Sequence, residues 1–365
     1  MIYVHIPFCE KKCNYCAFNS KIGDATEKNF YVEALIKEIN LRGDKSLTET
    51  IYFGGGTPTI LTLNQLEKII CAVEENFNVE SGAEITIEAN PGTVNENYLR
   101  GLKVLGFNRL SLGVQSFDDE LLKILGRIHD SRTAIKTIEL AKNFFDNVSV
   151  DLMYGLPNQT LKKLRRDIEQ IKNLDVQHVS IYGLEVEEGT KFFELFRADK
   201  LHLPNENLCA DMYDFITENL PALGYRRYEI SNFAKKNFES RHNVGYWTGK
   251  KYFGFGAGAH SFDGKLRTSN VRDVATYIEK NIPVVEEIVT RRAAMEEFCF
   301  LGLRMTDGIS AQVFEKIFGE KFFDIFGEVM EKNIRRGLLK VDGDKISLTE
   351  RGLALGNEVF ADFLL

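Results

Sequence analysis

Three cysteines near the start of the chain are the side chains with the clearest capacity for chemistry. Cys9, Cys13 and Cys16 have the spacing C-x3-C-x2-C and follow a short apolar segment typical of a strand. Three thiolates can hold three irons of a [4Fe–4S] cube and leave the fourth iron open, whereas cubes that only carry electrons usually have four protein thiolates. The spacing therefore indicates a cluster at which bonds are made or broken.

Other uses of these cysteines fit less well. The remaining cysteines, Cys71, Cys209 and Cys299, are isolated in apolar, helix-like segments, and we expect them to be small buried hydrophobic residues in a reducing compartment. A structural disulfide within the N-terminal set is disfavoured in such a compartment. Three ligands with no evident fourth also make a poor structural zinc site.

The elements that must position the cysteines alternate up to about residue 185. Short β-branched runs are separated by segments with apolar residues at helical spacing, and Ser131 is the predicted N-cap of one such helix. Six βα units in series predict an α/β fold with a parallel sheet and right-handed crossovers. An open sheet and a partial barrel are both compatible with this alternation, and in both the ligand site lies at the carboxyl ends of the strands. The predicted strands are residues 1–5, 50–54, 84–89, 109–114, 147–152 and 178–184.

Several predicted strands end in residues that suit a ligand. The second strand runs into Gly54-Gly55-Gly56-Thr57-Pro58, where bare glycines allow a ligand to approach the backbone closely. Glu88 ends the third strand, and a carboxylate there suits a ribose diol through paired hydrogen bonds. Taken singly, each such residue is more often a structural hydrogen-bonding group. The other polar residues near strand ends are Gln115, Arg127 and Asp151.

The cysteine spacing directly after a first strand, with βα alternation behind it, resembles the radical S-adenosylmethionine superfamily. Members of that superfamily have a partial (βα)6 parallel barrel and bind S-adenosylmethionine at the open iron through its amino and carboxylate groups. An electron from the cluster then cleaves the cofactor to give a radical. The resemblance implies that this chain binds a [4Fe–4S] cluster on Cys9, Cys13 and Cys16, binds S-adenosylmethionine and is able to cleave it.

The polar residues together resemble the branch of the superfamily that contains oxygen-independent coproporphyrinogen III oxidase. The resemblance covers roughly residues 1–260 and continues more loosely beyond them. It implies a set of residues that contact S-adenosylmethionine, with the glycine motif receiving the methionine end of the cofactor. The implied cofactor residues are Tyr3, Tyr15, Gly55, Gly56, Thr57, Glu88, Gln115, Arg127 and Asp151.

Two departures from the oxidase pattern place its activity in doubt. The oxidases have a further cysteine two residues after the third cluster ligand, whereas Cys16 is followed here by Ala17 and Phe18. The oxidases also have a substantial extension before the cluster strand, whereas the strand here starts at Met1. Both differences argue against decarboxylation of coproporphyrinogen.

A second motif lies at residues 242–247 and reads His-Asn-Val-Gly-Tyr-Trp. An imidazole can ligate heme iron, and Tyr246 and Trp247 can pack on a macrocycle. The motif is similar to one in the heme chaperone family, a close relative of the oxidases, and this similarity makes His242 the candidate heme ligand. A second imidazole, His260, lies in a glycine-rich run that suggests a backbone packed against a ligand or another element, and ranks below His242.

Three segments are expected along the chain. Residues 1–230 are the predicted radical S-adenosylmethionine barrel, 231–290 a connecting segment with the heme motif, and 291–365 a helical, winged-helix-like module. In this module three helices precede a hairpin at Val341-Asp342-Gly343-Asp344, and one last helix has Thr349 as its N-cap.

Composition restricts the class of partner. The chain has 365 residues and a formal net charge of −7, and this negative charge argues against general nucleic-acid binding. The winged-helix-like module is mixed in charge, so we do not infer DNA binding from it. No run approaches 18 apolar residues, and the N-terminus has no export signal. We expect a cytoplasmic protein.

The leading hypothesis is a heme chaperone that binds heme and an S-adenosylmethionine-ligated [4Fe–4S] cluster. It would deliver heme to apoproteins of respiratory enzymes, with transient peripheral contact at the membrane, and would require an electron donor. The first alternative is an oxygen-independent coproporphyrinogen III oxidase, which converts two propionates to vinyls with loss of CO₂. A radical enzyme acting on an unrelated substrate is the third hypothesis.

Overall fold

A nine-stranded, mainly parallel sheet organises the chain in a computed structural model that describes residues 1–280 and 283–364. The strands in this part of the chain are β1 (Ile2–Ile6), β2 (Leu47–Gly55), β3 (Asn78–Ala89), β4 (Arg109–Gln115), β5 (Asn147–Tyr154), β6 (His178–Gly183), β7 (Arg226–Arg227), β8 (Asn232–Ala234), β9 (Phe253–Phe255), β10 (His260–Phe262), β11 (Leu266–Ser269), β12 (Val284–Ile288), β13 (Ile309–Ser310), β14 (Leu339–Asp342) and β15 (Lys345–Leu348).

Helices connect the parallel strands and continue to the end of the described chain. A single 3₁₀ turn, Pro58–Ile60, follows β2. The α-helices are α1 (Ala25–Arg42), α2 (Leu63–Asn76), α3 (Glu96–Val104), α4 (Asp119–Leu125), α5 (Ser131–Ala141), α6 (Leu161–Leu174), α7 (Lys191–Arg197), α8 (Glu206–Ala222), α9 (Arg241–Trp247), α10 (Val274–Glu279), α11 (Arg291–Gly302), α12 (Ala311–Phe318), α13 (Phe322–Arg335), α14 (Glu350–Ala354) and α15 (Gly356–Asp362).

All six predicted strands are present, and β1 to β6 pair in parallel in chain order. β2 and β3 start earlier than predicted because Leu47 and Thr48 pair with Asn78 and Val79, outside the hydrophobic runs. Short β9 adds in parallel beside β1, and β8 adds antiparallel beside β6. The sheet has two ends, β7 and β9, and forms a partial barrel of the predicted kind.

Residues along the central strands alternate strictly between the two faces of the sheet. One face is apolar and packs against the helices, as Ile87 of β3 and Leu112 of β4 do. The other face is polar and turns inward, with Glu88 of β3 and Ser111 of β4 lining an internal cavity. Because side chains alternate with a period of two, a strand with apolar and polar residues in turn supplies both the core and the site.

The helix ends follow capping chemistry, with one correction. Asp130 is the N-cap of α5 and accepts a hydrogen bond from the Thr133 amide, so Ser131 is the first helical residue and the predicted Ser131 cap is wrong by one position. Both Asp130 and Ser131 are good caps, and the sequence alone does not separate neighbouring candidates. Thr349 caps α14 as predicted.

The C-terminal module has its own buried apolar cluster, which includes Phe314, Phe326 and Ile346. Three helices, α11 to α13, precede the hairpin of β14 and β15, and β13 adds to the same antiparallel sheet. Gly343 has a φ of +62°, as the hairpin turn requires. The single last helix that was predicted is instead two, α14 and α15, which meet at Leu355.

The division into 1–230, 231–290 and 291–365 stays a prediction. The middle segment supplies β8 and β9, which extend the sheet at its two sides.

Cys299 is buried as expected and Cys209 is half-buried, but Cys71 is exposed on α2 and that expectation is wrong. Cys71 follows the buried pair Ile69 and Ile70 and lies on the solvent-facing side of the helix.

Within the described residues, no helix has both the length and the apolar character needed to cross a bilayer.

Replacing Leu112 by alanine should test the outward face of β4. Leu112 is fully buried, and Leu→Ala changes in such cores cost about 2–5 kcal/mol. Leu41 on α1 is 80% exposed, and Leu41→Ala should change stability by less than about 0.5 kcal/mol. Thermal unfolding of both variants beside the wild type checks this expectation. Equal melting temperatures for the two variants would contradict the assignment of the faces.

Candidate cofactor site

The segment that carries the three cysteines is tied to the barrel at both ends. The Cys9 amide donates to the Lys21 carbonyl, and Lys21 in turn donates to Pro7, which closes the segment into a loop. The backbone of Asn14 donates to the Leu125 carbonyl at the end of α4, and its side chain donates to Ile124. The cysteine loop, residues 9–16, therefore lies against the carboxyl ends of the strands before any cofactor is considered.

The glycines after β2 allow the cysteine loop to lie this close. The Gly56 amide donates to Ile6 at 2.8 Å, and the next amide, of Thr57, donates to Phe8 at 2.8 Å. A Cβ at Gly56 would lie 2.6 Å from the Phe8 carbonyl oxygen and 3.0 Å from Cys9 Sγ. Gly55 has a φ of +114°, and a Cβ there would lie 2.6 Å from the His5 ring. The glycine motif is thus required by the packing of the protein itself.

A chain of polar contacts links the glycine motif to the second cysteine. The Asn90 amide group donates to Thr57 Oγ1 at 2.8 Å, and the Arg127 guanidinium donates to Asn90 Oδ1 and to the Gly113 carbonyl. Another nitrogen of Arg127 lies 3.3 Å from Cys13 Sγ. On the other side, Thr57 Oγ1 lies 3.6 Å from Cys9 Sγ. Two of the three cysteines therefore have polar partners in place.

The environment of the thiols suits metal binding. Burial raises the pKa of Cys9, while the Thr57 contact opposes that rise. Burial likewise raises the pKa of Cys16. Raised pKa values favour neutral thiols in the metal-free protein, and metal binding would release their protons.

The donor set fits an iron–sulfur cube better than a single ion. Among the described residues, no three His, Cys, Asp or Glu side chains converge on one point that could hold a metal ion. A cube requires no such convergence, because each cysteine binds a different iron. All three cysteines line the same cavity, and the buried Arg127 Nε beside them has no partner in the described chain. The residues present therefore fit a cluster.

The cavity beneath the cysteine loop has a volume of about 400 Å³ and collects most of the predicted cofactor residues. This volume lies in the range of small-molecule sites. Residues that the sequence analysis did not predict also line it. Most of them lie at alternate positions of the strands, and this alternation of polar residues was the signal that could have found them. The predicted residues at the cavity are Cys9, Cys13, Tyr15, Cys16, Gly55, Gly56, Thr57, Glu88, Gln115, Arg127 and Asp151. The missed residues include Tyr52, Asn90, Arg109, Ser111, Ser180 and Tyr182.

Two carboxyl groups, those of Glu88 and Asp151, line the same cavity. Glu88 accepts a hydrogen bond from the Tyr52 hydroxyl at 2.7 Å, and Asp151 accepts one from Ser111 at 3.2 Å. Burial raises the pKa of Glu88 to about 7; the Tyr52 hydrogen bond opposes this rise, and the charge of Asp151 adds to it. Burial also raises the pKa of Asp151. Arg109, which is buried in the same wall, supplies a compensating positive charge.

Gln115 occupies an unusual backbone position at the end of β4. Its φ is +70°, and the register of β4 against β5 shifts between Gly113 and Gln115. Positive φ at a non-glycine residue and a local bulge both mark positions where a strand is bent to redirect a side chain. Gln115 lines the cavity as a result.

Tyr3 differs from the other predicted cofactor residues because it stacks behind Tyr52, with the ring centroids 6.2 Å apart, and does not line the main cavity. Its hydroxyl contacts His5 Nδ1 at 3.0 Å, and His5 Nε2 contacts the Asn19 carbonyl at 2.9 Å. Tyr3 lines a second, more open cleft and not the main cavity. Its predicted contact with S-adenosylmethionine stays a prediction.

His242 is placed differently from an open metal ligand. Its side chain is 1% exposed, Nδ1 lies 2.8 Å from Thr50 Oγ1 and Nε2 lies 3.1 Å from the Tyr246 hydroxyl. Burial lowers its pKa to about 3, so the ring is neutral. Both ring nitrogens have partners in this structure, and neither is directed at an open coordination position. The predicted ligation of heme by His242 stays a prediction that requires these contacts to break.

A cysteine loop of this spacing over the carboxyl ends of a partial parallel barrel defines a protein of the radical S-adenosylmethionine class. A family model described as the Radical SAM superfamily matches residues 3–171, and one described as the HemN C-terminal domain matches residues 289–355. The solved structure of coproporphyrinogen III oxidase (HemN) from Escherichia coli, described as a radical SAM enzyme, is 26% identical. It matches with a TM-score of 0.87 over 99% of this chain and 89% of that one.

Full-length relatives define the family more narrowly. Heme chaperone HemW of Bacillus subtilis is 42% identical, with 99% of this chain and 98% of the relative covered. Heme chaperone HemW of Lactococcus lactis is 39% identical, with 100% and 97% covered. The mitochondrial radical S-adenosyl methionine domain-containing protein 1 of Danio rerio is 31% identical, with 100% and 86% covered. The chain belongs to the HemW family of radical S-adenosylmethionine proteins.

A Gly56→Ala change should reduce cluster assembly. The added methyl group would meet the Phe8 carbonyl and Cys9 Sγ, and overpacking of this kind costs about 1–3 kcal/mol. We expect the cysteine loop to shift and the iron and sulfide content per reconstituted chain to fall. Gly82→Ala is the matched control, because a Cβ at Gly82 meets nothing within 4 Å. Unchanged iron content in Gly56→Ala would show that the cluster does not depend on this contact.

Glu88 should make S-adenosylmethionine binding depend on pH. If the ionised carboxylate binds the ribose diol, a group with a pKa of about 7 binds better as pH rises from 6 to 8. At pH 6 only about a tenth of such groups are ionised, so affinity should fall about tenfold. Glu88→Gln should bind weakly at both pH values. Calorimetric titration of the reconstituted proteins checks this, and an equal pH dependence in Glu88→Gln would assign it to another group.

Proposed function

We propose that this protein is a heme chaperone that binds heme together with an S-adenosylmethionine-ligated [4Fe–4S] cluster and delivers the heme to apoproteins. The observation that carries the proposal is the similarity along the whole chain to relatives named heme chaperones, at 42% and 39% identity. The C-terminal module is included in this similarity, so the proposal does not depend on the barrel alone.

The cavity residues receive roles in this proposal. Cys9, Cys13 and Cys16 hold the cluster, and Arg127 supports Cys13 and carries a positive charge beside it. Cofactor contacts come from the strand ends, where Gly55, Gly56 and Thr57 supply backbone close to the loop and Glu88 supplies a carboxylate. Tyr15, Gln115 and Asp151 complete the wall. When bound, the cluster and S-adenosylmethionine supply electron transfer and radical chemistry, which assembly or heme transfer would use.

Partners and location follow from the same proposal. The clients are heme-requiring apoproteins, and among these we propose membrane-bound respiratory subunits. Delivery to them places the protein in the cytoplasm, with transient contact at the cytoplasmic face of the membrane. A separate electron donor reduces the cluster.

The second candidate function is oxygen-independent oxidation of coproporphyrinogen III. The TM-score of 0.87 to the Escherichia coli oxidase favours it. The residue two positions after Cys16 argues against it, because Phe18 stands where the oxidases have a further cysteine. Phe18 is also 71% exposed, so this position offers an apolar surface in place of a thiol.

A turnover assay and a heme titration should separate these functions. Reconstituted protein with coproporphyrinogen III, S-adenosylmethionine and a reductant under anaerobic conditions should form no protoporphyrinogen over many turnovers. The same protein titrated with heme should give a saturable Soret band at one heme per chain. The Escherichia coli oxidase in the first assay is the positive control. Multiple-turnover formation of protoporphyrinogen would overturn the chaperone proposal.

A further inference from the structure

A second cleft opens beside the cysteine loop, between β1 and the segment that leads from β9 into β10. Its volume is about 370 Å³, and it is open to solvent along one side. Ala17 and Phe18, directly after the last cysteine, line both this cleft and the main cavity. The residues that matter for its chemistry are Tyr3, Phe18, Tyr246, Tyr252, His260 and Arg272.

The cleft is held open by contacts of the protein itself. The Asn19 side chain donates to the carbonyls of Ala257 and Arg272 at 3.0 and 2.8 Å, which joins the exit of the cysteine loop to the far wall. Gly256 has a φ of +102°, and a Cβ there would lie 2.5 Å from the His5 carbonyl oxygen. Gly254 packs equally tightly on the His260 backbone. The glycine-rich run therefore packs against another element, and this packing places His260 at the rim.

Three groups in the cleft suit an anionic, flat, iron-containing ligand. His260 is exposed, and no hydrogen bond occupies either of its ring nitrogens within residues 1–280 and 283–364. Tyr246 and Tyr252 pack edge to face with their ring centroids 4.8 Å apart. Together with Phe18 they offer aromatic surface to a macrocycle. Arg272 is exposed, and its guanidinium forms no ion pair with any described side chain. An arginine of this kind suits a carboxylate.

We infer that this cleft is the heme site and that His260, in place of His242, is the axial ligand to the heme iron. The inference rests on the proposed function and specifies where the heme lies. Arg272 pairs with a propionate, and the aromatic side chains contact the ring face. Because the cleft is open on one side, part of the macrocycle stays accessible, which suits a protein that must pass its cargo to a client.

His242 then has a positioning role. Its Nε2 lies 3.1 Å from the Tyr246 hydroxyl, and its ring packs edge to face on Tyr246 at 4.9 Å. Tyr246 in turn lines the cleft. The His-Asn-Val-Gly-Tyr-Trp motif would thus bring its tyrosine to the heme and use its histidine to hold that tyrosine in place.

Titrations with heme and with iron-free protoporphyrin test the inference on the full-length, cluster-reconstituted protein. His260→Ala should weaken heme binding about tenfold or more, corresponding to at least about 1.4 kcal/mol, and should change the Soret band. The same variant should leave protoporphyrin binding unchanged, because ligation requires the iron. Added imidazole should restore the Soret band of His260→Ala. His202→Ala, an exposed histidine outside the cleft, is the matched control and should behave as wild type.

Two further variants complete the test. Arg272→Glu should weaken heme and protoporphyrin binding alike, because both carry propionates. His242→Asn should weaken both porphyrins to the same extent, since it disturbs Tyr246 and not the iron. Iron content of each preparation reports whether the barrel is intact. If wild type binds heme and His260→Ala binds it unchanged, the inference is overturned and the chaperone function stands. If wild type binds no heme, the proposed function itself fails.

Discussion

The approach of β2 to the cysteine loop is the constraint on which the rest of the site depends. Backbone amides of Gly56 and Thr57 donate to the chain just before Cys9, and the spacing leaves no room for a side chain at Gly56. From this contact, Thr57 reaches Asn90, and Asn90 reaches Arg127 and so Cys13. The loop is therefore positioned by three segments, those of Gly56 and Thr57, of Asn90 and of Arg127, and these contacts are present without a cluster.

The polar interior of the barrel has an energetic cost that the fold offsets locally. Buried carboxyl groups are unfavourable unless they are paired or hydrogen-bonded. Glu84 accepts hydrogen bonds from the amides of Arg241 and His242 at the start of α9. Glu88 and Asp151 accept hydrogen bonds from hydroxyl groups; burial raises the pKa of both, and the positive charge of Arg109 opposes that rise. Glu88 and Asp151 line the cavity, whereas Glu84 does not. Glu84 is therefore a structural group, and Glu88 is available to a ligand.

Sequence reasoning succeeded where local chemistry determines the outcome and failed where three-dimensional packing does. The six strands were predictable because β-branched runs and helical spacing are local signals, and the cysteine spacing indicated the cluster loop. The N-cap moved from Ser131 to Asp130 because adjacent residues compete equally for it. The motif around His242 gave residue types, but not which ring nitrogens have partners. Arg109 and Tyr52 lie on the inward faces of β4 and β2, and the alternation of residues along the strands indicates that face but not which of its residues reach the cavity.

The His-Asn-Val-Gly-Tyr-Trp motif of α9 connects β2 to the open cleft. Glu84 fixes the start of α9, His242 at its first turn bonds to Thr50 of β2, and Tyr246 one turn later reaches the cleft wall. A buried, neutral histidine with two partners is well suited to hold such a path rigid, whereas an exposed histidine without partners is suited to bind a metal. Phe18 borders the cleft and lies two residues after Cys16, so the backbone of the cysteine loop continues directly into the wall of the cleft. The two sites are separate in chemistry but share the wall that Ala17 and Phe18 form, because both residues line the main cavity and the open cleft.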